Sequence, residues 1–391
     1  MNLLELASLV ITPNAYEEGK LFSVIPSNGT GDLEITRSTT KTRVNPQGLI
    51  ETIGINAPSI DYSGGGCPSI LLEPQRTNLI PFSNNFSGSG WGLAKSGVGL
   101  LPLLTGNFAT SPDGTNNASR IVLNIGAGTT SSDISELFIN VSNSVDVVDS
   151  RSIFMKSNTA DTYNIYFSTG LVLAVSPNAW ARAETTLTGV SERYRVMLRG
   201  SLPTSKFADI LIFGAQVEQA GNVSSYIPTN GAAVTRNQDS KVKVDDLINK
   251  NILSPTEGSI FVKFGSNQSQ VGSSPVVSLV LSVANRLLIS VSGGTFRIQL
   301  GLNNLTAFNY QSSIPMANSK CGVSYNNGQY KIFINGSLVF TSGIFEQKAY
   351  TSLQLSDINT NGGISSVRTI DEIYLYKTAL SDQECIQLTT P

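Results

Sequence analysis

The 391-residue chain contains no histidine. That one absence removes the Ser-His-Asp triad, the Cys-His dyad and every His-ligated metal, leaving Asp, Glu, Lys and Tyr for any acid–base work. The nearest approach to a paired-carboxylate motif is Asp371-Glu372. Neighbouring strand positions point to opposite faces, so this pair is expected to be structural rather than convergent on a substrate. A glycoside hydrolase needs two carboxylates facing each other about 5–10 Å apart, and nothing in the sequence marks such a pair. Trp91 and Trp180, the only tryptophans, offer different chemistry, the stacking of an indole on the face of a sugar ring. Trp91 follows the loop FSGSG with Phe86 nearby and is the candidate ligand platform, with lid packing as the alternative. Trp180 opens the alternating stretch Trp180, Arg182, Glu184 and is expected to lie over a sandwich core.

Cys67, Cys321 and Cys385 are widely spaced and match neither a disulfide framework nor a zinc site. Buried free thiols are expected, and a bridge between Cys321 and Cys385 remains open. Asp245-Asp246, flanked by Lys241, Lys243 and Lys250, reads as a solvated connector. Gly19-Lys20 lacks the upstream glycine and the following Ser or Thr of a phosphate loop, and Gly64-Gly65-Gly66 reads as a turn. No catalytic residue, metal or cofactor is expected.

The elements that would position these residues are strands. Charged residues make up 14% of the chain against roughly 25% in typical soluble proteins, and glycine is abundant, a mixture suited to short strands and polar turns rather than amphipathic helices. A net charge of −2 without a basic stripe argues against nucleic acid, and no apolar run approaches the roughly 20 residues of a membrane-spanning helix. Residues 1–80 alternate short apolar pieces, such as 21–25 and 33–35, with Gly, Pro and Asn turns, and read as an extended attachment segment without its own core. Residues 81–236 carry strands at near-regular spacing, as in the alternation of Tyr194, Val196 and Leu198 with Arg193, Arg195, Met197 and Arg199. Residues 237–252 read as a linker, and 253–391 as a second strand-rich domain. In that domain Asn326-Asn327-Gly328 and Asn335-Gly336 are hairpin turns, and Ser381 with Glu384 forms the capping box of a short terminal helix. The expected fold is all-β, with two β-sandwiches behind the attachment segment.

Three stretches carry a resemblance to known families. Residues 31–80, including Thr42-Arg43-Val44-Asn45 and Leu71-Leu72-Glu73-Pro74-Gln75-Arg76-Thr77-Asn78, resemble a leader shared by bacteriophage virion proteins, among them phages of gut Bacteroidetes. SPDGTNNASRI at 111–121 and ADILIFGAQVEQAGNVSSYIPTNGAAVTR at 208–236 resemble the jelly-roll module that follows this leader, itself similar to carbohydrate-binding modules. GVSYNNGQYKIFINGSLV at 322–339 and IDEIYLYKTALSDQE at 370–384 resemble the concanavalin A-like, laminin G-like lectin fold. Such jelly rolls often hold calcium through an Asp in the last strand, but the matching stretch here is Phe213-Gly214-Ala215, without a carboxylate.

The resemblance implies a non-enzymatic tail or head fibre or appendage on the exterior of a phage particle. It would attach to other virion proteins through the N-terminal segment, assemble as a homotrimer and contact host-surface glycans, with no nucleic acid or membrane partner. A capsular polysaccharide depolymerase and a bacterial surface lectin are the alternatives.

Overall fold

The computed structural model describes residues 3–141, 147–168, 170–188, 193–268, 273–356 and 363–391. The regular structure is nearly all strand, with two helices among the described residues, Leu3–Leu6 and Asp382–Thr389. It forms two compact units: Met1–Pro46, Thr52–Gln75 and Asn237–Pro391 make the first, and Gln47–Glu51 with Arg76–Arg236 the second. The expected all-β fold with two sandwiches is what is observed, but the units are nested in chain order rather than consecutive.

In the first unit one sheet runs Ser337–Ile344, Gln329–Ile334, Lys320–Asn326, Glu257–Gln268, Arg368–Tyr376, Ser69–Leu72, Ile60–Asp61, with Leu9–Ile11 also paired to Arg368–Tyr376. The facing sheet runs Tyr16–Glu17, Lys20–Leu21, Leu33–Thr36, Ser240–Asp245, Ser352–Gln354, Ser273–Ser282, Asn285–Ser292, Thr295–Leu302, Leu305–Pro315. Period-two alternation builds the core between them: Leu287, Ile289 and Val291 point in, as do Phe296, Ile298 and Leu300 of the next strand. Asn327 and Gly328 at φ 46° and 85°, and Asn335 and Gly336 at φ 47° and 78°, make the hairpin turns as expected, since Asn and Gly tolerate positive φ. The Ser381–Glu384 capping box is present at the start of the terminal helix.

The N-terminal segment differs from its expected description. Leu9, Ile11, Leu21, Leu33, Ile35, Ile60, Ile70 and Leu72 are buried in the same core as the C-terminal strands. Leu9 pairs with Leu375, and Ile70 with Ile370. Its short apolar pieces have no core alone because they complete sheets begun some three hundred residues later. The stretch expected as a linker is likewise structural: Ser240–Asp245 is a strand between Leu33–Thr36 and Ser352–Gln354, with Val242 and Val244 buried. The four-part division read from the sequence thus becomes two units.

A charge network buried in the first unit holds these stretches together. Arg37 donates from Nη1 to Asp239 Oδ1 at 2.8 Å, and Lys41 Nζ reaches Asp239 Oδ2 at 2.9 Å and Glu73 Oε2 at 3.1 Å. The guanidinium is completed by the carbonyls of Thr39, Gly54 and Ala57, and the ammonium by that of Leu71. All four charged side chains are at most 2% exposed.

The second unit pairs two five-stranded sheets. One runs Trp91–Ser96, Ile134–Asn140, Arg193–Arg199, Tyr163–Phe167, Leu171–Val175; the other runs Leu103–Ala109, Ala118–Asn124, Phe207–Glu218, Val148–Ser157, Ala181–Thr188. Its core includes Leu137, Ile165, Tyr194, Val196, Ile210 and Ile212. Trp91–Ser96 and Leu103–Ala109 are edge strands that the sequence pattern does not reveal. Glycines interrupt both, and Leu103–Ala109 is largely exposed, which removes the alternation that burial would impose.

Removing one member of a buried ion network strands its partners without solvent. Asp239→Ala is therefore expected to destabilise the first unit by about 3–5 kcal/mol, read as a lowered urea midpoint.

Candidate functional site

Asp371 and Glu372 sit on the outer side of the eight-stranded sheet, and the structure brings them together where the sequence argument separated them. Glu372 pairs with Lys263 while Ile370 pairs with the next residue, Phe264, so Asp371 is the extra residue of a β-bulge. The bulge breaks the alternation on which the opposite-face argument rests, and both carboxylates reach Lys263 Nζ, at 3.4 and 3.6 Å. Ser69 Oγ donates to Asp371 at 2.6 Å and the Tyr374 hydroxyl to Glu372 at 2.6 Å. Burial pushes the Tyr374 phenol up and Glu372 adds to the effect. Partial burial alone would lower Lys263, but the two carboxylates outweigh it and hold the ammonium above its usual range. The pair is occupied as the counter-charge of a lysine, a structural role.

Trp91 is half-buried at the edge of the second unit's core. Its Nε1 donates to the Phe82 carbonyl at 2.9 Å, and its ring meets Phe86 and Tyr194 edge to face, with centroids 4.9 and 5.8 Å away. Those contacts use the ring for packing of the loop before it, the alternative weighed from the sequence. Trp180 lies in the turn ahead of Ala181–Thr188 and is half-buried outside the core cluster, rather than over the core as expected, because the strand begins one residue later. On the outer face of the other sheet, the Arg193 guanidinium covers the Phe138 ring at 4.0 Å and pairs with Glu136 at 2.8 Å, so that ring is occupied as well.

The cysteines are free thiols, with Cys321 and Cys385 buried and unbridged and Cys67 exposed, contrary to the expectation that all three are buried. Burial pushes Cys385 up to about 12 and Cys321 up as well. Among the described residues no group of three or more Cys, Asp or Glu is placed to hold a metal ion.

An open cleft lies on the outer face of the nine-stranded sheet. The outward residues form register rows across the strands. One row is Lys243, Gln354, Ser278, Leu288, Gln299, Asn309, and the next is Asp245, Ser352, Val280, Arg286, Gly301. Asp245, read as part of a solvated connector, is a strand residue ion-paired to Lys243. Where Arg286 faces Gly301, one side of the row has no side chain, and a cleft of about 160 Å³ opens. Leu288, Gln299, Arg286 and Thr306 are among its lining residues. Asn303 and Asn304 turn at φ 53° and 68° and bring Leu305, 74% exposed, to the rim. A Cβ on Gly301 would touch Arg286 Cγ at 3.6 Å, an ordinary contact, so alanine fits and a longer side chain fills the space. The lining combines hydrogen-bonding amides, a hydroxyl and a guanidinium with aliphatic surface, and it contains no carboxylate. Such a lining suits binding rather than acid–base catalysis. The pairing that sets Arg286 opposite Gly301, and so the cleft, could not be read from the sequence.

No family model matches the chain, and no curated protein matches it. Solved structures similar to part of it include the CBM40 of the Ruminococcus gnavus IT-sialidase bound to α2,3-sialyllactose, at 18% identity over 35% of this chain and 84% of that one, with a TM-score of 0.29. Domain 4 of AbnA, a GH43 extracellular arabinanase from Geobacillus stearothermophilus in complex with arabinotriose, is 17% identical over 44% of this chain and 84% of that one, with a TM-score of 0.31. The receptor-binding domain of botulinum neurotoxin mosaic serotype C/D is 17% identical over 38% and 39%, with a TM-score of 0.29.

A thiol reagent applied to the folded chain is expected to modify one cysteine of three promptly, with the other two reacting only in denaturant. Mass mapping should place the fast site at Cys67.

Proposed function

We propose that this chain is a non-enzymatic saccharide-binding protein, and that its ligand lies in the Gly301 cleft on the nine-stranded sheet. The observation that carries this is the cleft's make-up: Arg286, Gln299 and Thr306 offer polar groups beside the aliphatic Leu288. Sugar recognition requires that combination, hydrogen bonds to hydroxyls together with apolar contact to the ring's C–H face. A hydrolase would need facing carboxylates, and the lining has none.

The biological setting we propose is attachment of a phage particle to host-surface glycans, and it rests on the resemblance of residues 31–80 to virion leaders. The N-terminal segment is largely built into the first unit, so contacts with other particle proteins would fall to the apolar side chains it leaves exposed, among them Leu4, Leu6, Val24 and Ile55. Immunogold labelling of intact particles with an antibody to this chain tests the setting, and absence of label would remove it. A homotrimer in solution, measured by light scattering, belongs to the same proposal.

The binding site has its own test on an array of neutral, carboxylated and sulfated oligosaccharides. The wild-type chain is expected to bind members of the array, Gly301→Ala to bind them similarly, and Gly301→Leu to lose them at unchanged thermal stability. Equal binding by the Leu variant would move the site elsewhere. New reducing ends on incubation with host polysaccharide would replace the adhesive reading by an enzymatic one.

A further inference from the structure

We infer that the folded chain links itself covalently: the Lys41 amine condenses with the Asp239 carboxyl to an amide, with Glu73 carrying the proton. The buried ion network is then the precursor of a bond, and nothing in this inference depends on the saccharide reading.

The reacting groups are in contact and dry. Lys41 Nζ lies 2.9 Å from Asp239 Oδ2 and 3.1 Å from Glu73 Oε2, and the three side chains are at most 2% exposed. Holding an amine against a carboxyl makes the condensation unimolecular, and effective molarities for well-oriented pairs reach about 10⁵–10⁸ M. In a dry interior an ion pair also loses the hydration that favours it over the neutral amine and acid, which are the reactive forms.

The contacts of Nζ set the order of steps. Its three donors go to Asp239, to Glu73 and to the Leu71 carbonyl at 2.9 Å. One proton passes along the bond from Nζ to Asp239 Oδ2. The two remaining N–H bonds keep Glu73 and Leu71, so the freed lone pair points at the Asp239 carboxyl. Nζ attacks Cγ, and Glu73 takes a proton from the nitrogen as the N–C bond forms. The negative charge of the tetrahedral intermediate falls on Oδ1, where Arg37 Nη1 already donates at 2.8 Å. A donor preset on a developing oxyanion lowers the barrier without reorganisation. Glu73 then returns the proton to Oδ2, the Cγ–Oδ2 bond breaks and water leaves. The Glu73 backbone N–H donates to Oδ2 at 2.9 Å, which fixes the proton carrier beside the leaving oxygen. One ammonium and one carboxylate thus become one amide and one water, and no co-reactant is consumed.

The bond would close residues 41–239 into a ring that contains the whole second unit, Gln47–Glu51 and Arg76–Arg236. A cross-link stabilises chiefly by restricting the unfolded chain, and more so for a longer loop. The N-terminal and C-terminal parts of the first unit would stay tied together even with the second unit unfolded.

The test is the mass of the full wild-type chain, reduced and denatured, which is expected to be one water below that of its sequence. Cyanogen bromide, which cuts after Met155, Met197 and Met316, should leave the fragment ending at Met155 joined to the fragment from Leu198 to Met316. Tandem mass spectrometry should place the branch at Lys41 and Asp239. A chain of full mass whose fragments separate would overturn the inference. So would a lost water mapped to any other position, as a cyclised Asp-Gly step would give. Lys41→Arg keeps the charge but cannot form this amide, and is expected to show full mass at unchanged far-ultraviolet circular dichroism. Glu73→Gln, folded by the same measure, should lower the linked fraction at least tenfold. Complete linkage in that variant would leave the bond standing and overturn the role of Glu73.

Discussion

Arg37 and Lys41 can be dry inside the first unit only because Asp239 and Glu73 are dry beside them. Moving an ion out of water costs several kcal/mol even after relaxation, and the cost is offset only when each charge finds its counterpart and the remaining donors find carbonyls. Here two cations meet two anions, and the carbonyls of Thr39, Gly54, Ala57 and Leu71 take the other donors. The partners come from three separate chain stretches, so the network forms only when the N-terminal strands have met the strand Ser240–Asp245. Glu73 comes just before the chain leaves for the second unit, and Asp239 just after it returns. One interaction therefore closes the first unit across an excursion of some 160 residues.

The nine-stranded sheet depends on that closure, because Ser240–Asp245 joins the N-terminal strands to the C-terminal ones. Its inner face is made of Leu, Ile, Val and Phe, and its outer face of the residues between them, which are mostly polar by alternation. A regular sheet with a polar outer face has no cavity by default. The cleft arises at Gly301, where the row is interrupted by a missing side chain, and is deepened by the hairpin tips bearing Val283 and Leu305. In the second unit the Trp91 ring that suggested a sugar platform is engaged by Phe86 and Tyr194.

The Asp371–Glu372 pair shows how a sound local rule fails. Alternation places neighbours on opposite faces, but one extra residue resets the phase, and both carboxylates close on Lys263. No local feature of the sequence announces that bulge, since it is set by the register with Glu257–Gln268. The same holds for Trp180, where a strand boundary displaced by one residue moves the ring out of the core.

By itself the sequence determined the all-β class, the hairpin turns at Asn327-Gly328 and Asn335-Gly336, the capping box at Ser381, and the inward side of Arg193–Arg199, where Tyr194, Val196 and Leu198 enter the core. These follow from the conformational limits of single residues and from period-two alternation, both local. Only the tertiary structure decided that the N-terminal segment belongs to the C-terminal sandwich, that residues 237–252 supply a strand, and that Arg286 stands opposite a glycine. Pairing between Leu9 and Leu375, or burial of Lys41 against Asp239, joins residues hundreds of positions apart. Short-range propensity carries no information about such partners, because each piece is marginal alone and gains its stability only from the strand it meets.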